Sequence, residues 1–311
     1  MHTNLQTLFD HSSSNLPSKL NSGGSSELPF ELREAVDNAL NECFAKNYST
    51  DELLGDDLTQ VRGPLDSLCK RHGLLLEEAI AHAFAAQGER YDVVTQVSVI
   101  VSNEAMALVE TNLPKNLEGL NLPVANTKGK RVVIDVLVFD FETGDLHVIS
   151  VKRGGGAQGG KAARDARKDL TAAGLMLKHL MLAQGYPVHN VKKVLVDWYG
   201  RSGIIARKTI TRETVDGYFG IPVAKIVEAM SARMASGLAE RLAQRLLNAI
   251  GVSGSDLASW RRDTQTGRRT DEIEAYDSSN HIRLSERPSL SKCLSVLPMR
   301  KQGRQMRHVV T

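Results

Sequence analysis

The alternation of apolar and polar positions predicts a β-hairpin near the middle of the chain. Residues 132–140 and 146–152 are apolar and rich in β-branched side chains, which is typical of strands. Residues 142–145, Glu-Thr-Gly-Asp, supply the glycine that a short hairpin loop favours. Two further runs of this kind, 91–102 and 192–199, predict one strand before the hairpin and one after it.

Apolar residues at helical spacing predict helices around these strands. Residues 49–52, Ser-Thr-Asp-Glu, resemble a capping box that opens a short helix of its own. The segment 103–130 contains Pro114 and Pro123 and predicts an elaborated loop. From residue 73 to residue 199 the predicted order is helix, strand, strand, strand, helix, strand. The other predicted helices cover residues 31–46, 73–88, 161–184 and 221–250.

The composition is that of an ordinary globular protein, with 41% hydrophobic and 24% charged residues. The formal net charge of the 311 residues is only +3, so affinity for nucleic acid would have to come from local basic patches. Three widely spaced cysteines argue against a zinc site or a disulfide framework and fit a cytoplasmic protein. The sequence shows no membrane-spanning run and no secretory signal. Its polar ends leave a secreted effector as a secondary expectation.

The same patterns predict five parts along the chain. Both ends are polar and are expected to be disordered, the first rich in Ser and Gly and the last rich in Arg. The C-terminal helical extension is amphipathic, and it would either cap the core or form the face of a homodimer. The parts are the tail 1–29, N-terminal helices 30–72, a core 73–200, the extension 201–252 and the tail 253–311.

Three side chains in the predicted hairpin do not suit an apolar core. They are Asp135, Ser150 and Lys152, and burying a charge without a partner is costly. Strand alternation places Ser150 and Lys152 on one face, and pairing about the turn brings Asp135 near them. An acid, a hydroxyl and a lysine on one sheet surface indicate a functional site.

This hairpin resembles that of the PD-(D/E)xK nuclease superfamily, which includes restriction enzymes and Holliday-junction resolvases. Asp135 matches the family's Asp and Lys152 its Lys, but Ser150 stands where the family has Glu or Asp. The predicted order of elements between residues 73 and 199 is similar to the family core. The resemblance implies an α/β fold: a restriction-endonuclease-like α-β-β-β-α-β core with a central mixed sheet, plus N-terminal and C-terminal helical additions.

The resemblance also implies an activity, that of a metal-dependent DNA endonuclease using Mg²⁺ or Mn²⁺. The spacing of residues 73, 77, 84 and 88 is similar to that of resolvase-like members, which makes Glu77 the expected helix carboxylate and Glu78 the second choice. Glu77, Asp135 and the backbone carbonyl of Val151 would hold the metal. Lys152 would orient the attacking water or stabilise the phosphorus centre.

Ser150 puts this activity in question, because a hydroxyl keeps an oxygen but brings no negative charge. Three outcomes follow: weaker metal binding, a carboxylate supplied by Glu142 or Asp145, or a catalytically inactive DNA-binding pseudonuclease.

Basic residues surround the Gly-rich segment that follows the hairpin. They would contact DNA phosphates without reading sequence, although on a helix they are equally typical of a solvated face. Residues 155–161, GGAQGGK, also fit the spacing of a nucleotide-binding phosphate loop, with 194–197 as its acidic strand. Ala162 stands where that motif needs Ser or Thr for Mg²⁺. The predicted DNA-binding residues are Arg153, Lys161, Arg164 and Lys168.

Overall fold

A mixed β-sheet lies at the centre of the residues that the computed structural model describes, which are 28–123, 129–156, 160–204 and 209–249. Apart from residues 28 and 29, the predicted tails 1–29 and 253–311 lie outside these ranges. The strands are β1 (Tyr91–Ser102), β2 (Gly129–Asp140), β3 (Asp145–Lys152), β4 (Asn190–Asp197) and β5 (Thr209–Ile210). The helices are α1 (Phe30–Ala45), α2 (Gly55–Ala85), α3 (Asn103–Thr111), α4 (Gly160–Ala183), α5 (Val215–Phe219) and α6 (Val223–Ala249).

The strands lie in the order β1-β2-β3-β4-β5. The pairs β1–β2 and β2–β3 are antiparallel, whereas β3–β4 and β4–β5 are parallel. The predicted hairpin is confirmed, and Gly144 in its turn has φ +69°, a backbone angle that favours glycine. The other two predicted strands are also confirmed. The two-residue strand β5 was not predicted.

Helices cover both faces of the sheet. On one face, α1, α2, α5 and α6 share an apolar core with Val136, Ile149 and Val194. On the other face, α3 and α4 pack against Val97, Leu137 and Val148. The coarse prediction of an α/β fold with a central mixed sheet and flanking helices is therefore confirmed.

Helix α2 corrects the prediction of two separate helices. It runs without interruption from Gly55 to Ala85, through Pro64, so the capping-box start at residues 49–52 and the separate start at residue 73 were both wrong. A proline inside a helix leaves the carbonyl four residues earlier without its donor. Here Arg245 of α6 donates to that carbonyl, the oxygen of Gln60, at 2.6 Å. Tertiary contacts thus stabilise a helix that its local sequence would break.

The segment predicted as an elaborated loop after β1 begins with a helix instead. Ser102 caps α3, because its hydroxyl oxygen accepts a hydrogen bond from the Ala105 amide at 3.2 Å. A serine at this position is a common N-cap signal. The loop prediction gave more weight to the two prolines that follow further along the segment.

The C-terminal extension caps the core. Helix α6 buries Val223, Val227, Met230 and Met234 against α1 and α2. This is the first of the two roles predicted for it, and the homodimer face stays a prediction. None of the described helices has the length and apolar character needed to cross a membrane.

Candidate active site

The sheet opens into a fork at the predicted site. Pairing between β2 and β3 ends at Val136 and Ile149, so Asp135 and Ser150 are the next residues on each branch. Beyond them β2 stays paired with β1 and β3 stays paired with β4. Backbone and side-chain groups between the branches are therefore released from the ladder and can face a ligand.

The alternation of side chains slips at the same place. In β1, Val94 and Val97 both lie on the face that packs against α4, and their partners in β2 are Leu137 and Ile134. In a regular strand, residues on one face are two positions apart. Here they are three positions apart in both strands, which marks a local irregularity. Gln96 lies within it with φ +55°, the one non-glycine residue of the described chain with positive φ. Such backbone strain costs about 1–3 kcal/mol and is concentrated at functional sites.

Asp135 is the centre of the fork. Its Oδ2 accepts hydrogen bonds from the Ser150 hydroxyl at 3.0 Å and from the Val151 amide at 2.6 Å. The Lys152 ammonium lies 3.4 Å from the same oxygen. All three hydrogen bonds that reach this carboxylate from described residues end on Oδ2. The structure thus brings together the acid, the hydroxyl and the lysine, as predicted, and leaves Oδ1 available to a ligand.

Glu77 reaches the fork from α2. It is buried, and its Oε2 accepts a hydrogen bond from Gln96. Burial raises the pKa of Glu77 to about 8, and the negative charge of Asp135 adds to this effect, while the Gln96 hydrogen bond and Lys152 oppose it. A carboxyl group that is neutral at pH 7 beside a second acid can exchange its proton for a cation. The neighbouring Glu78 is exposed, so Glu77, the first choice, is the glutamate placed at the fork.

The donor set fits a hard divalent cation such as Mg²⁺ or Mn²⁺. Glu77 and Asp135 supply carboxylates, and Val151 supplies a third oxygen. In a strand the amide and carbonyl of one residue point the same way, and the Val151 amide points at Asp135. The Lys152 carbonyl points away, because it accepts from the Trp198 amide. In the part of the chain that the structure describes, no cluster of three or more Asp, Glu, His or Cys side chains is placed to hold a metal.

Neither Glu142 nor Asp145 replaces the carboxylate that Ser150 lacks. Asp145 begins β3 and pairs with Lys192 at 2.5 Å, and Glu142 pairs with Arg90 at 3.0 Å. Five residues of strand, roughly 17 Å, separate Asp145 from Ser150. That expectation was wrong because residues near in sequence across a hairpin turn lie at the closed end, whereas the site lies at the open end.

The predicted DNA-binding residues have different surroundings. Lys161 and Arg164 are exposed on the first turns of α4. Lys168 forms an ion pair with Glu110 at 2.5 Å, which compensates its charge. Arg153 lies next to the fork, where its Nε donates to His72 Nδ1 at 3.2 Å.

The phosphate-loop segment connects β3 with α4, and its residues 157–159 lie outside the described ranges. Asp197, on the strand predicted to carry its acid, is buried, and its Oδ2 accepts from the Ser202 amide and hydroxyl at 2.8 and 2.6 Å. One oxygen of this acid is therefore committed to the loop after β4.

The sequence prediction missed two residues of the site, Gln96 and His72. Gln96 was visible as a polar residue at the centre of a β-branched run, but its contact with Glu77 depends on how α2 packs. His72 carries no local signal, since it lies within a helix whose course was not predicted.

Comparisons of the chain with protein-family models, with curated proteins and with solved structures gave no match.

Proposed function

We propose that this protein is a metal-dependent DNA endonuclease of the PD-(D/E)xK type. The observation that carries the proposal is the fork itself, where Asp135 contacts Ser150, the Val151 amide and Lys152 while Glu77 approaches from α2. Two carboxylates, a carbonyl and an ammonium are the groups that phosphodiester hydrolysis requires. The proposal explains why polar groups and backbone strain meet at one point of an apolar sheet.

The order of elements supports the same proposal. From α2 to β4 the chain runs through a helix, three antiparallel strands, a helix and a strand parallel to the third, with one added helix, α3, after the first strand. This is similar to the restriction-endonuclease-like core that the sequence resemblance implies.

Each residue has a distinct role in this mechanism. A bound Mg²⁺ or Mn²⁺ would make a water nucleophilic and neutralise the leaving oxygen. Asp135 and Glu77 would hold the cation through their carboxylates, for which Glu77 would have to give up its proton. Lys152 keeps its ammonium beside Asp135, where it can orient the water or stabilise negative charge on the phosphate. Ser150 holds the carboxylate of Asp135 in position through its hydroxyl.

A second candidate function is that of a DNA-binding pseudonuclease. The observation in its favour is that the described residues offer only two carboxylates at the fork, since Ser150 replaces the third. Mg²⁺ retains its waters strongly and is usually bound by carboxylates. A site of reduced charge would then bind DNA without cleaving it.

Nicking of supercoiled plasmid separates the two functions. The purified protein is incubated with plasmid in EDTA, in Mg²⁺ and in Mn²⁺, and open-circular and linear products are quantified. The endonuclease proposal expects nicking with either metal and none in EDTA. Binding of the plasmid without cleavage under all conditions would favour the pseudonuclease, and neither binding nor cleavage would contradict both.

Replacing Ser150 by glutamate is expected to raise cleavage about tenfold at Mg²⁺ concentrations below saturation. The added carboxylate restores the ligand that the family pattern has, and a divalent cation offsets its repulsion with Asp135. Ser150→Gln is the matched control, because it has nearly the same shape without the charge. Initial nicking rates across a Mg²⁺ titration measure the effect. If the natural protein cleaves well and Ser150→Glu cleaves less, the fork already holds its full set of ligands.

A further inference from the structure

A polar cavity of about 420 Å³ opens directly beside the fork. It lies between α2 and the loop that follows β3, and it shares Lys152 with the candidate active site. Its walls are formed by charged and small polar side chains and by glycine backbone. None of the described residues that line the cavity has a large apolar or aromatic side chain. The lining residues include Lys70, Lys152, Arg153, the glycines 154–156 and Ser202.

The side chains that line the cavity carry an excess of positive charge, with Lys70, Lys152 and Arg153 against Asp66. Lys152 is paired with Asp135, and Asp66 is paired with Arg62 at 3.2 Å. Lys70 and Arg153 also line the cavity, and among the described residues neither has an Asp or Glu oxygen within 4.0 Å. Two cations without an ion pair outnumber the one carboxylate that lines the cavity, and this excess of positive charge favours an anionic ligand.

Arg153 is held in place before any ligand arrives. Its Nε donates to Nδ1 of the buried His72, and its guanidinium lies 5.6 Å from the centre of the Tyr199 ring. The other ring nitrogen of His72 lies 3.0 Å from the Ser231 hydroxyl. Burial, together with the Arg153 charge, lowers the pKa of His72 to about 4, so the ring is neutral near pH 7 and Nδ1 can accept.

Nη1 of Arg153 faces the loop of the cavity. A methyl group placed on Gly155 would lie 2.8 Å from Nη1, so the guanidinium lies against this glycine. Gly154 has φ +70°, and its Cα faces the buried Asp197 so closely that a side chain would collide with Oδ1. The glycines let an anion approach the backbone while the guanidinium presents its donors.

We propose that this cavity binds a nucleic-acid phosphate next to the one attacked at the fork, with Arg153 and Lys70 as its cations. His72 and Tyr199 are positioning residues that act through Arg153. This inference rests on the proposed function and extends it to a second phosphate of the same strand. A free nucleotide fits less well, because its base would pack against an aromatic or large apolar side chain, and none of the described residues that line the cavity supplies one.

Equilibrium binding to a labelled 30-base-pair duplex in EDTA tests the cations. The measurement is the dependence of log K on log salt for the natural protein, Arg153→Gln and Lys70→Gln. Each variant should lower the magnitude of the slope by about 0.9, the value for one phosphate contact. Arg71→Gln is the matched control, because Arg71 neighbours Lys70 on α2, is exposed and is paired with Glu42. Its slope should equal that of the natural protein.

The positioning role of His72 has its own measurement. His72→Leu removes the acceptor and should weaken binding severalfold while leaving the salt slope unchanged, since the Arg153 charge is still present. His72→Asn, which keeps an acceptor near the position of Nδ1, should restore part of the affinity. In the Arg153→Gln background, His72→Leu should have no further effect on binding. Thermal unfolding of each variant verifies that it is folded.

The outcomes separate this inference from the proposed function. If the natural protein neither binds nor cleaves DNA, both fail. If it binds and cleaves but Arg153→Gln and Lys70→Gln keep the natural salt slope, or if His72→Leu weakens binding equally in the Arg153→Gln background, the cavity proposal alone fails. Titration with ATP and with inorganic phosphate tests whether the cavity binds a free nucleotide or a free phosphate instead of nucleic acid. Micromolar ATP affinity that Lys161→Ala abolishes and Arg153→Gln does not would overturn the proposal in favour of a nucleotide loop.

Discussion

Replacing Asp135 by asparagine is expected to reduce metal-dependent cleavage by more than about a hundredfold. Loss of a residue that only supports a metal ligand typically costs ten- to a hundredfold, and Asp135 is proposed as a direct ligand. Asparagine keeps the size of the side chain and one oxygen, but it removes the charge that attracts the cation and pairs with Lys152 at 3.4 Å. Initial nicking rates at saturating Mg²⁺ and Mn²⁺ measure the loss.

The matched control for this variant is Glu142→Gln. Glu142 belongs to the same hairpin, but it is exposed at the closed end and pairs with Arg90. This change should leave cleavage within about twofold of the natural rate, since surface ion pairs contribute little. Full activity of Asp135→Asn, with a normal thermal unfolding curve, would remove Asp135 from the mechanism. A large loss of cleavage in Glu142→Gln would show that the hairpin tolerates no change. The loss in Asp135→Asn would then not be specific to the fork.

Replacing Glu77 by glutamine is expected to change stability in opposite directions with and without metal. The folded-state pKa of about 8 lies above the usual 4.5, so between these values the folded chain holds a proton that the unfolded chain has lost. This contribution to stability is complete below pH 4.5 and disappears as the pH rises through 8. Without metal, Glu77→Gln should therefore gain about 2–4 kcal/mol relative to the natural protein by pH 9.

A divalent cation should reverse the ranking. The ionised Glu77 is then paired with the cation, so Mg²⁺ or Mn²⁺ should stabilise the natural protein and leave Glu77→Gln nearly unaffected. Because binding displaces the Glu77 proton, the apparent metal affinity of the natural protein should rise up to tenfold per pH unit below 8 and level off above it.

Chemical denaturation between pH 6 and pH 9 measures the free energy of unfolding, and with it both effects. Each variant is measured in EDTA and at a metal concentration of about 10 mM. Glu78→Gln is the control for the metal effect alone, because Glu78 neighbours Glu77 on the same helix while burial raises the pKa of Glu78 as well. A metal-induced stabilisation that survives in Glu77→Gln would place the cation elsewhere.

Local sequence patterns were sufficient to predict four of the five strands and the centre of the candidate site. The hairpin, β1 and β4 were predictable because β-branched alternation and a glycine in the turn are local signals that act within a few residues. The approach of Asp135 to Lys152 followed from the same information, since pairing about a known turn fixes which residues lie opposite each other. The role proposed for Glu77 came only from a family resemblance.

The course of α2, by contrast, depends on contacts between residues far apart in sequence. Gly63 and Pro64 would end a helix in isolation. Here the Tyr48 ring packs on Gly63, and Arg245 donates to the Gln60 carbonyl, to which Pro64 has no N–H to donate. These partners lie up to 185 residues apart in sequence, beyond the reach of any periodic pattern.

The surroundings of the site depended on the same packing. The strained backbone of Gln96 is held where its side chain meets Glu77, and Arg153 is held by His72. Both contacts join α2 to the sheet. A sequence pattern shows which side chains alternate along one element, but contacts between elements depend on the shapes of both surfaces, and only the folded chain brings those surfaces together.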